Sequence, residues 1–173
     1  AQRWVALFGA AGTLSVSLCV AVGYDDAIGR QLGTTGRPGH AATARLEFFR
    51  WPTDRGWTRD FGPVCVRREH PEPEVAVARF RFSGWAKYPD HRKDDQVSER
   101  AAKALDLRLR RAVHKGRPVV LEGGAIDVDG QGTILTTEEC LLDPFVQVRN
   151  PGFRRADYEQ VFLESLGASH AIW

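Results

Sequence analysis

Apolar and small polar residues alternate over residues 14–22, the two-residue period of a strand with one face in a core. No charge interrupts residues 4–24, and Arg3 precedes them, so a signal segment is one reading. Gly9, Gly12, Thr13, Ser15, Ser17 and Gly23 make the stretch too polar for a membrane span. The favoured reading is a helix end, a turn over residues 9–12, and then the buried strand. Residues 24–32 suit a short helix, and 33–39, with Thr34, Thr35 and Pro38, a loop. Leu46-Glu47-Phe48-Phe49-Arg50-Trp51 predicts the next strand, stopped by Pro52.

Gly62-Pro63 leads into a strand within 61–68; Pro71 and Pro73 then turn the chain, and 75–82 returns it as a hairpin. Residues 84–93 form an aromatic and polar loop with Trp85, Tyr88 and Pro89. Val97, Ala101, Ala104 and Leu105 recur at helical spacing and predict a helix within 94–107. A strand starts over 118–121. Residues 125–128 and 133–136 then flank Asp129-Gly130, a strong hairpin signal. Val161, Phe162 and Leu166 mark the inner face of a helix over 156–166, ended by Gly167, and 171–173 begins another strand. Strands followed by a helix recur without a sequence repeat, which predicts an α+β (mixed α/β) fold in a single domain.

Composition narrows the function classes. A chain of 173 residues can bury one sizeable core, and 43% hydrophobic with 27% charged residues is ordinary for a soluble globular protein. A net charge of +2 gives no argument for nucleic acid as a partner. The local basic run Arg108, Arg110, Arg111, His114, Lys115 and Arg117 reads as a solvated helix end and loop. Cys19, Cys65 and Cys140 are odd in number and lack CxxC spacing, so neither a disulfide framework nor a zinc site is expected. That usage favours a reducing cytoplasm. Position 1 is Ala and the chain holds no Met, which reads as a piece of a longer protein.

Candidate chemistry sits in two segments. In Trp57-Thr58-Arg59-Asp60-Phe61-Gly62-Pro63, turn-forming residues fix the direction of a carboxylate. A fixed carboxylate is the natural bidentate partner of a guanidinium, which is planar, cationic and lined with N–H donors. Asp60 could instead cap its turn or pair with Arg59. Glu122 ends an apolar run and precedes Gly123-Gly124. A carboxylate buried there must be paired, whether by orienting a histidine, binding a substrate nitrogen or meeting a Lys or Arg. Asp127 and Asp129 stand as in a calcium loop, but the remaining ligands and the closing Glu are missing. Asp129 is therefore a turn residue, and Asp127 a secondary acid on the substrate side. Trp57 and Trp85 either wall a channel for an aliphatic chain or belong to the core. Cys140 follows two glutamates and Cys65 lies in a strand, so neither suits a reactive thiolate.

The heptapeptide around Asp60 resembles the Trp-x-Arg-Asp-x-Gly-Pro motif of the agmatine deiminases and the bacterial, Porphyromonas-type peptidylarginine deiminases, within the guanidino-group-modifying (pentein) superfamily. Residues 121–142, beginning Leu121-Glu122-Gly123-Gly124, are similar to a second block of that family almost without interruption. The likeness is dense over 49–173 and weak over 1–45. It implies a partial α/β propeller of ββαβ modules, about half of a five-module ring. It implies hydrolysis of agmatine to N-carbamoylputrescine and ammonia, or deimination of peptidyl-arginine, with no cofactor and no metal. The partner would be a small guanidine, not nucleic acid or a membrane, and the full-length protein could form a homo-oligomer. By that match Asp60 binds the guanidinium and Glu122 orients a histidine and helps bind substrate. Trp57, Trp85 and Asp127 would line the substrate side. The family's nucleophilic Cys and its Gly-His-x-Asp segment are expected further along; Cys140 matches a structural cysteine, and His170 lacks the following Asp. Besides a piece of a deiminase, a non-catalytic guanidine- or polyamine-binding protein fits the same residues, as does a structural partner completed by a second polypeptide.

Overall fold

The computed structural model describes residues 5–7, 19–20, 48–49 and 51–173. The chain begins with the short strands β1 (Val5–Leu7), β2 (Cys19–Val20) and β3 (Phe48–Phe49), the last two paired in parallel. The helical turn α1 (Thr58–Phe61) leads into β4 (Val64–Arg68). This strand folds back antiparallel on β5 (Glu74–Arg79), with Val66 opposite Ala76. A tight turn, Asp94–Gln96, then opens α2 (Val97–Ala104), whose Val97 and Ala101 are buried at the predicted spacing. Asp106 ends the helix in a left-handed conformation, φ 51°, and the Leu107 N–H donates to the Ala102 carbonyl. The chain returns as β6 (Arg108–Arg111), parallel to β5, and the sheet order is β1-β4-β5-β6.

A hairpin of β7 (Val113–His114) and β8 (Arg117–Pro118) follows. It turns through Lys115 and Gly116, both at positive φ, the geometry that matches strand twist. A second hairpin joins β9 (Asp127–Val128) to β10 (Thr133–Leu135). The Asp129 carboxylate closes its turn by accepting the N–H groups of Gln131 and Thr133 at 2.7 and 2.9 Å. Next come α3 (Glu138–Leu142), capped by the Thr137 hydroxyl, and α4 (Arg155–Val161). The last helix runs on in a wider turn, Phe162–Leu166, until Gly167 at φ 71°. Finally β11 (His170–Ile172) lies parallel to β10.

Two units therefore repeat one topology: β4-β5-α2-β6, and β9-β10-helices-β11. In each, an antiparallel hairpin is followed by helix and by a strand parallel to the hairpin's second strand. This is the expected ββαβ module, and the sheets among the described residues do not close into a barrel. One apolar core spans both units, and includes Val66 and Ala76 from the first and Ile134, Tyr158 and Phe162 from the second. A smaller cluster of Phe61, Phe82 and Val97, with Trp51 and Trp85 against it, underlies the site described below.

Two expectations need correction. Residues 5–7 form a strand rather than a helix end, because they find a partner in β4, Ala6 opposite Val66. The basic run is not a solvated helix end and loop: Arg108–Arg111 is the parallel neighbour of β5, and His114, Lys115 and Arg117 belong to the β7-β8 hairpin. Backbone pairing with β5 decides that strand, whatever its side chains favour in isolation. The helix expected over 24–32, the loop over 33–39 and most of the strand over 14–22 lie outside the described residues.

Candidate guanidine-binding site

The segment carrying Asp60 is fixed from both sides. Upstream, Asp94 accepts the backbone N–H groups of Asp54 and Arg55 at 2.7 and 3.3 Å, and Asp54 accepts that of Lys93 at 2.9 Å. Downstream, the Gly62 N–H donates to the Thr58 carbonyl at 2.7 Å and the chain leaves extended into β4. Between them the buried Phe61 anchors α1 in the aromatic cluster, and the Ser98 hydroxyl donates to the Phe61 carbonyl at 3.3 Å.

Glu122 stands where the chain leaves the sheet. The Leu121 N–H donates to the Arg81 carbonyl at 3.2 Å, and the next residues, Gly123–Ala125, wind into a tight turn. That turn docks on α1. The Arg59 side chain donates to the carbonyls of Gly123 at 3.1 Å and Ile126 at 3.4 Å. A Cβ on Gly123 would strike the Arg59 carbonyl, and one on Gly124 the Asp60 carboxylate itself. Only glycine allows this approach, and it lets the Gly124 N–H donate to Asp60. The Trp85 side chain is a second donor to Asp60.

The electrostatics follow from that packing. Burial pushes the Asp60 carboxyl above its ordinary value, against the Gly124 and Trp85 hydrogen bonds and the charges of Arg59 and Arg149. Burial also pushes Glu122 up; the Arg149 charge opposes the rise and the Asp60 charge adds to it. The Asp60 charge is thus felt at Glu122. Among the described residues, no group of three or more His, Cys, Asp and Glu side chains could hold a metal ion.

The remaining candidates divide. Trp85 stacks edge-on against Trp57, ring centres 6.3 Å apart, and against Phe82 and Tyr88 at 5.2 and 5.8 Å. Trp57 is 64% exposed, so it belongs to a rim rather than to the core. Gly84, Trp85 and Ala86 run in succession at φ 62°, 60° and 53°; two of them are not glycine, a strain held next to the acid that Trp85 binds. Asp127 faces outward, 74% exposed, with Arg59 at 4.0 Å, and is not brought against Asp60. Cys65 sits in β4 with its thiol pushed up by burial, and Cys140 packs against the core in α3. His170 is an exposed strand residue on β11.

Arg149 was not among the candidates. Its Nε donates to both carboxylate oxygens of Glu122, at 3.1 and 3.3 Å, and its Nη1 to the Gln147 carbonyl at 3.0 Å. The paired-with-arginine reading of Glu122 is thus realised. Asn150, next to Arg149, also grips the strand. It accepts the Val120 N–H at 2.9 Å and donates to the Val120 carbonyl at 2.7 Å and the Tyr158 hydroxyl at 2.9 Å. The available signal was the need of a buried Glu for a counter-charge, with Arg149 placed just ahead of the turn-forming Asn150-Pro151-Gly152.

The sequence profile of the Porphyromonas-type peptidyl-arginine deiminases matches residues 10–173. A curated relative from Selenomonas ruminantium, provisionally named an agmatine deiminase, is 36% identical over 133 residues, which is 74% of this chain and 33% of the relative. Agmatine deiminase of Enterococcus faecalis, solved as it catalyses its reaction, superposes with a TM-score of 0.62 at 30% identity, over 73% of this chain and 33% of that one. A substrate-bound agmatine deiminase of C. jejuni gives 0.60 at 27% identity, over 75% and 36%. The chain spans about a third of the length of the relatives it matches.

Proposed function

Because the chain belongs to the Porphyromonas-type peptidyl-arginine deiminase family, we propose that it carries the guanidine-binding acids of an agmatine deiminase. One observation supports the reading above the others. Docking of the Gly123–Ala125 turn on α1 brings Asp60 and Glu122, from different modules, into one electrostatic site. The guanidinium N–H groups would donate to Asp60, with Glu122 accepting from the remaining nitrogens. The two carboxylates would neutralise the cation and orient its carbon for attack. Trp57 and Trp85 would line the path of the aliphatic chain, where ring faces also suit a terminal ammonium. Asp127, on the outer rim, has at most a steering role.

Neither acid is a nucleophile. The resemblance assigns attack on the guanidine carbon to a cysteine and proton transfer to a histidine, with ammonia leaving first and water then releasing N-carbamoylputrescine. Neither Cys65 nor Cys140 fills the first role here. A reducing cytoplasm suits the reading, since both are free thiols. Among the described residues no helix is long and apolar enough to cross a membrane.

The experiment is product analysis with protein expressed from its complete reading frame. N-carbamoylputrescine and ammonia from agmatine would support the proposal. Citrulline formed in an arginine peptide, with agmatine untouched, would move it to peptidyl-arginine deimination. Guanidine binding without ammonia release would leave a binding protein.

A further inference from the structure

The loop between α3 and α4 carries Arg149 to Glu122. Asp143 accepts the N–H groups of Phe145 and Val146 at 2.7 and 3.0 Å, and Gln147 takes a left-handed φ of 55°. The chain then delivers Arg149 and Asn150 side by side. Asn150 holds both backbone groups of Val120, while Arg149 spans both oxygens of Glu122, two residues further on. The strand end is therefore gripped by its backbone and by its carboxylate. The ion pair is out of water, its Arg149 and Glu122 side chains 6% and 1% exposed.

Resting on the function proposed above, we infer that Arg149 is a positioning residue of the guanidine site, keeping Glu122 ionised and aimed as an acceptor beside Asp60. The charged and titratable groups around Glu122 are Arg149, Asp60, the Tyr158 hydroxyl and, on the adjoining turn, Arg59. Arg149 is bonded to both oxygens of the Glu122 carboxylate. Without it, a buried acid facing a second acid takes up a proton. A protonated Glu122 would offer an O–H donor where a guanidinium needs an acceptor. Loss of Arg149 therefore weakens guanidine binding through Glu122, without Arg149 touching the ligand.

The test is calorimetric titration of agmatine into the full-length protein between about pH 5 and 9, for wild type, Arg149→Gln and Arg149→Lys. In Arg149→Gln the acid limb of binding should move upward by about one pH unit or more. Arg149→Lys keeps the charge, so its limb should stay in place while affinity falls several-fold with the loss of the planar guanidinium that bonds Glu122 and Gln147 together. Superimposable limbs for wild type and Arg149→Gln would overturn the inference. Should Arg149→Gln fail to fold, the double variant Glu122→Gln/Arg149→Gln decides. Recovery of folding assigns the role to the Glu122 charge, whereas continued unfolding assigns Arg149 to packing and overturns the inference. Wild-type protein that binds no agmatine at any pH would instead sink the proposed function.

Discussion

At the scale of single residues, the proposed site would trade stability for binding. Asp60 and Glu122 have carboxyls raised by burial, so in the folded state each holds its proton more tightly than in the unfolded chain. That contribution to stability is fully present below the ordinary carboxylate pKa of about 4 and is lost as pH rises through the raised folded value. Ionised Asp60 is therefore a cost at neutral pH that the proposed guanidine binding would offset. Asp60→Asn should leave the thermal midpoint at pH 7 unchanged or higher, while agmatine affinity falls at least about 100-fold. A clear drop in midpoint would place Asp60 in the fold rather than in the site. Asn150 behaves in the opposite sense. Asn150→Ala strips both backbone bonds from Val120 and should cost about 2–4 kcal/mol in chemical denaturation.

Elements decide how those residues meet. Asp95, at the start of α2, accepts from Arg79 at 2.9 Å, from Arg81 at 2.7 Å and from the Phe82 N–H at 2.7 Å, tying the helix to the end of β5. Asp95→Ala leaves Arg79 buried without its closest carboxylate and should destabilise the protein by about 3–5 kcal/mol in denaturant melts. The contact between α1 and the Gly123–Ala125 turn is as exacting. Gly124→Ala pushes a methyl into the Asp60 carboxylate, and agmatine affinity should fall about ten-fold or more even where circular dichroism is unchanged. Local patterns made several elements legible in the sequence: the hairpin at Asp129-Gly130, the helix ended by Gly167, and the turn that leads Asp60 into Gly62-Pro63. Each is set by neighbours in the chain. The strand Arg108–Arg111 was not legible, because its conformation is set by β5, a partner distant in sequence. Arg149 was hidden for the same reason, its carboxylate lying 27 residues upstream in another element.

The whole molecule repeats one arrangement. Asp60 lies just ahead of the first strand of one ββαβ module, and Glu122 just ahead of the first strand of the other. The modules share one apolar core, so the proposed diacid site would be a product of the repeat and belong to neither module alone. Motif resemblance made the two acids legible as candidates, but only the packing of one module on the other brings the Asp60 charge to bear on Glu122. The most direct measurement is calorimetric titration of agmatine at pH 7 into wild type, Asp60→Asn, Glu122→Gln and the double variant. A shared site predicts that each single change removes most of the affinity and that the double change costs far less than the sum. Additive losses, or undiminished binding in either single variant, would contradict a common guanidine site built from Asp60 and Glu122.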